Sequence, residues 1–133
     1  MATGTVTITR DPRRAPNEGK KIEVVSVAWT STAGGAASDT ISNLYGFLVK
    51  AVTIPSGAAA PTDNYDITLL DENSIDAANS ALIDRDTANT EQVYPTGTSA
   101  QIPVFLCGTH TFTVANAGNA KSGTCVLYIV ETL

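Results

Sequence analysis

The sequence predicts an all-β domain, a single antiparallel β-sandwich of about eight strands, jelly-roll-like or immunoglobulin-like. Apolar and polar residues alternate with period two in short runs, most plainly in YDITL (65–69) and TFTV (111–114). Turn-forming clusters such as SGAAAPTDN and NAGNAKSG separate those runs at hairpin-like distances. Charged residues make up only 16% of the chain, fewer than the Glu- and Lys-rich faces of a helical bundle would require. With 133 residues and no internal repeat or linker, residues 1–133 read as one domain. Residues 1–21 read as a strand plus an extended docking arm.

The first strand is Thr5 to Arg10, with Val6 and Ile8 inward and Thr5, Thr7 and Thr9 outward. DPRRAPNEGKK follows as a basic, Pro-containing loop. Ile22 to Thr30 is apolar on both faces, with Ile22, Val24 and Ala28 opposing Val25, Val27 and Trp29. Such a strand belongs inside a sheet or beneath a partner chain. STAGGAASDT has no periodicity and reads as a loop.

The stretch from Leu44 to Glu72 organises the rest. Leu44 to Ile54 places Leu44, Leu48, Val52 and Ile54 on one face and Tyr45, Phe47 and Val49 on the other. Gly46 marks a bulge or a close backbone approach. Tyr65 to Leu70 is the expected antiparallel partner, turning Tyr65, Ile67 and Leu69 to the core. Residues 71–90 read as a helical turn carrying Ile75, Ala78 and Leu82, or as an extended surface loop. Glu91–Tyr94, Gln101–Leu106, Thr109–Ala115 and Thr124–Glu131 complete the strands. In the last of these Cys125, Leu127 and Ile129 oppose Val126, Tyr128 and Val130.

Catalysis needs titratable groups that converge, and the chain has one histidine. His110 lies on the Phe112 and Val114 face of its strand and reads as structural. No nucleophile elbow, phosphate loop or metalloprotease helix is present. A glycosidase-type carboxylate pair has no spacing signature, and nothing selects one. The acidic residues Asp71, Glu72, Asp76, Asp84 and Asp86 pose a calcium question, but the Gly and terminal Glu of an EF-hand loop are missing. No catalytic residue, cofactor or metal site is expected. Cys107 and Cys125 lack metal-ligand spacing and are expected as buried free thiols, with a cross-strand disulfide as the alternative.

The net charge of −5 disfavours a general nucleic-acid binder. No signal-peptide pattern follows Met1, and no apolar run approaches the roughly 20 residues of a membrane span, so a soluble protein made in the cytosol is expected. Against the acidic background, Arg10, Arg13, Arg14, Lys20 and Lys21 form a basic run. They read either as a solvated loop or as an arm that docks on an acidic partner surface. Trp29 sits among Val and Ala and reads as core. Tyr45, Tyr65 and Tyr94 would be the candidates for stacking on a glycan.

The segments YGFLVKAVTIP, PTDNYDITLLDE, TEQVYP and TFTVANAGNAKSGTCVLYIV together resemble small all-β virion proteins of tailed bacteriophages. The similarity covers about Leu44 to Val130 and resides in strands and turns. Within that class the chain is most similar to capsid decoration, or cement, proteins. The resemblance implies a homotrimer on the outer surface of the virion, clamping neighbouring major capsid protein subunits without enzymatic activity. A tail, baseplate or vertex protein is an alternative, and a receptor- or carbohydrate-binding module is another.

Overall fold

The computed structural model describes residues 4–14, 21–97 and 102–131. Among these there are seven strands: β1 (Thr5–Arg14), β2 (Lys21–Thr30), β3 (Ala37–Pro55), β4 (Asp66–Leu70), β5 (Glu91–Val93), β6 (Val104–Ala115) and β7 (Ser122–Val130). All pairings are antiparallel, in the order β1-β2-β7-β3-β6-β4, with β5 added to β3. The all-β, sandwich-like fold class agrees with the expectation from sequence.

One strand explains how a single sheet makes two layers. β3 is 19 residues long, and its first part, Ala37–Leu48, pairs with β6. Its second part, Phe47–Pro55, pairs with β7. Between them the backbone takes positive φ at Asn43 (56°) and Gly46 (131°), and the register slips between Ile41 and Leu44 and again between Leu48 and Lys50. Bulges of this kind bend a strand and increase its twist. A Cβ on Gly46 would overlap the carbonyl oxygen of Val130, so the corner requires glycine.

Beyond the corner, β1, β2, β7, the second half of β3 and β5 form one layer. The first half of β3, β6 and β4 form the other. The two inner faces meet in one core, where the rings of Trp29 on β2 and Tyr65 beside β4 lie 5.5 Å apart between centroids. Alternation supplies the filling: Val25, Val27 and Trp29 from β2, Ile67 and Leu69 from β4, Phe112 and Val114 from β6, and Cys125, Leu127 and Ile129 from β7. Val6 and Ile8 pack against this core while Thr5, Thr7 and Thr9 stay exposed.

Several expectations are corrected. Among the described residues there are seven strands against about eight expected, because the runs before and after Gly108 are one continuous strand, β6, with Gly108 at φ 104°. Gln101 lies outside the described residues. The presumed loop STAGGAASDT is strand from Ala37 onward, imposed by its ladder with β6, which buries Ala37 and Ile41. β3 and β4 do not pair: β6 stands between them, and the segment linking them runs across to the β6–β7 turn. There Thr62 N donates to Ala117 O and Ser122 N to Ala59 O.

The Leu48/Lys50 slip also changes which residues of β3 face inward. Ala51 and Thr53 are buried, whereas Val52 is only half-buried and Ile54 is exposed. In β2 the Val25, Val27 and Trp29 face is core, and on the other face Ala28 is exposed. Residues 71–90 form turns and extended chain, without a helix. Ala78 and Leu82 are buried beneath them, but Ile75 is 62% exposed. This segment runs along the outer edge of β4, where Ile67 N donates to Leu82 O and Ala77 N to Leu69 O. The edge is thereby covered.

Candidate docking surface

The basic run divides into residues with different surroundings. Arg10 donates from Nε and Nη2 to the two carboxylate oxygens of Glu23, at 2.8 and 2.7 Å. It also donates to the carbonyl of Asn43 at 2.8 Å and to that of Ser42. The Glu23 hydrogen bond raises the Arg10 pKa above its ordinary value. Arg10 therefore ties β1 to the bulge in β3. Arg13 Nε donates to Asp11 at 3.0 Å on the surface. Arg14 closes the β1 ladder opposite Lys21, and Lys20 lies outside the described residues. Within residues 1–21, positions 5–14 are a full strand of the sheet.

Lys21 is exposed and opens onto a cleft of about 540 Å³ lined by Arg10, Lys21, Glu23, Asn43, Tyr45, Ile129 and Glu131. The cleft forms where β2 begins and β7 ends, beside the β3 corner. Its charges are mixed, two basic and two acidic.

An aromatic row continues from the cleft. Tyr45 stands opposite Cys107 in the β3–β6 ladder, and Phe47 stands opposite Phe105. Tyr45 is 60% exposed, Phe105 is 62% exposed, and the Phe47 and Phe105 rings lie 5.4 Å apart. The inward positions between them, Leu44, Leu48 and Leu106, are fully buried, so the alternation that builds the core also turns these aromatics outward. In the sequence Tyr45 and Phe47 share a face, whereas nothing singles out Phe105. The uninterrupted run VFLC hides its parity, and only pairing with β3 resolves it.

The remaining candidates have structural surroundings. His110 is 1% exposed, and its Nδ1–H donates to the Gly108 carbonyl at 3.1 Å. Of the acidic residues of 71–86, Asp71 accepts from the backbone of Asn73 and Ile75, Asp76 from Leu69, Ala78 and Ser80, and Glu72 from Thr109 of β6. Asp86 lies below the usual carboxylate range because the N–H groups of Ala88 and Asn89 hydrogen-bond to it. Among the described residues, no group of three or more His, Cys, Asp and Glu side chains could hold a metal ion. No described helix is long and apolar enough to cross a membrane.

Both cysteines are free, but only Cys125 is buried. Cys107 is exposed, against expectation, because its strand position is paired with outward-facing Tyr45. Of the tyrosines considered for glycan stacking, Tyr45 and Tyr94 are exposed, whereas Tyr65 is fully buried in the core. Compared with the known protein-family models and with curated proteins, the chain matches none.

Proposed function

We propose that this protein is a non-enzymatic structural component of a bacteriophage virion, a decoration protein that self-associates as a trimer and clamps major capsid protein subunits on the outer capsid surface. The observation that carries the docking reading is the outward aromatic row of exposed Tyr45 and Phe105 with half-buried Phe47 between them, beside the mixed-charge cleft containing Lys21. Contiguous exposed apolar surface rimmed by polar residues is a recurrent feature of protein–protein contacts. The phage assignment rests on the strand-and-turn resemblance of Leu44–Val130. Repetition on a lattice would multiply a weak single contact into firm attachment.

The decisive experiment is the copy number of this protein in purified virions relative to the major capsid protein. A ratio near one is expected. A ratio of a few percent would move the protein to the tail, baseplate or a vertex, and absence from particles would remove the virion reading. Exposure of Tyr45 and Tyr94 supports the competing glycan-binding reading. That reading requires Tyr45→Ala or Tyr94→Ala to abolish binding in a glycan array while the fold is retained.

A further inference from the structure

We propose that the core holds one bound water molecule, bridging Trp29, Thr53 and Tyr65 between the two layers. Three buried side-chain atoms have no hydrogen-bond partner in the protein: Trp29 Nε1, Thr53 Oγ1 and Tyr65 OH. Their residues are 2%, 1% and 0% exposed, so bulk solvent does not reach them. The three belong to different segments. Trp29 and Thr53 project from β2 and β3 in one layer, and Tyr65 comes from the chain entering β4 in the other.

Tyr65 relates the three residues: its ring touches that of Trp29, and its hydroxyl has Thr53 beside it. The Trp29 and Tyr65 rings are in contact, with centroids 5.5 Å apart. The Thr53 hydroxyl neighbours that of Tyr65, yet neither meets the geometry of a hydrogen bond to the other. Thr53 stands opposite Cys125, and Cys125 stands opposite Val27, which shares its buried face with Trp29. Gly123, opposite Trp29, contributes no side chain, and a Cβ there would press on the indole ring at 2.8 Å.

The donor set selects the ligand. An indole N–H only donates, while each hydroxyl can donate one hydrogen bond and accept others. A water molecule accepts from Trp29 and from one hydroxyl and donates to the second, giving the three bonds typical of buried waters. An apolar occupant would leave all three atoms unmet, at a penalty larger than that of immobilising one water. An ion would need a charged partner among these three groups, and none is charged: burial pushes the Tyr65 hydroxyl up to about 12. The site lies toward the end of the sandwich away from the β3 corner, where β2 and β3 end and β7 begins.

Two measurements test this. A crystal structure of the intact protein at atomic resolution is expected to show one ordered oxygen within about 3.2 Å of all three atoms. Direct bonding among the three groups, or a dry gap, overturns the proposal. Oxygen-17 water relaxation dispersion reports long-lived internal waters without interference from hydroxyl exchange. The Thr53→Val, Tyr65→Phe double variant is expected to lose one such water relative to the native protein. An unchanged count in the folded double variant overturns the proposal too.

Discussion

At the scale of single residues, the two cysteines show how neighbours set chemistry. Cys125 is fully buried, and desolvation pushes its thiol from the ordinary 9.0 up to about 12. Cys107 faces outward. A disulfide-exchange reagent is expected to label Cys107 in the native protein and Cys125 only after unfolding. Rapid labelling of both would refute this burial. Cys125 and Tyr65 also govern behaviour in alkali, since Tyr65 rises from 10.0 to about 12. Both groups are neutral when protonated, and the folded state holds the proton more tightly than the unfolded chain does. Their stabilisation is therefore complete below about pH 9 and is lost as pH climbs toward 12. The urea midpoint should fall steadily over that range, and the Cys125→Ala variant should show a shallower decline. A midpoint independent of pH there would contradict the assignment.

Among the elements, β3 has the most demanding backbone, and the sequence showed it only in part. Gly46 was legible as a bulge or a close approach, and both occur: its φ is 131° and Val130 O occupies the space of a side chain. The extension back to Ala37 was not legible, because Ser38, Asp39 and Thr40 carry no apolar alternation and are held as strand by β6. The inward positions after Leu48 were misassigned, since one slipped register reverses every later side chain. Gly46→Ala should cost about 2–4 kcal/mol in denaturant unfolding. Gly57→Ala, with open space around it, should change stability by no more than about 0.5 kcal/mol. Equal effects would show that the corner is not strained. Arg10 contributes at this scale as well, joining β1 to the β3 bulge through a forked set of bonds. A lysine cannot reproduce that fork, so Arg10→Lys should lose about 1 kcal/mol, a figure reduced by the 31% exposure of the Arg10 side chain. An unfolding midpoint unchanged by Arg10→Lys would show that the contacts at Glu23 and Asn43 add nothing.

For the whole molecule, alternation revealed the fold class but not the order of the strands. Period-two patterns in Ile67–Leu69, Phe112–Val114 and Cys125–Ile129 identify which side chains turn inward, whatever the neighbouring strand. They contain nothing that says β6 separates β3 from β4, a choice made by the ladders formed after the chain returns. The docking surface was partly legible for the same reason: Tyr45 and Phe47 carried a face, while Phe105 gained one only through its partner strand. On the reading proposed above, the Tyr45→Ser, Phe105→Ser double variant should keep its fold and stability within about 0.5 kcal/mol while losing self-association in sedimentation. Retained self-association would move the interface elsewhere. The corner in β3 has a mechanical consequence. Because one uninterrupted strand is hydrogen-bonded into both layers, neither layer can be peeled away without shearing the other. Tension applied to either face is shared by the ladders with β6 and β7, and the domain yields as a unit.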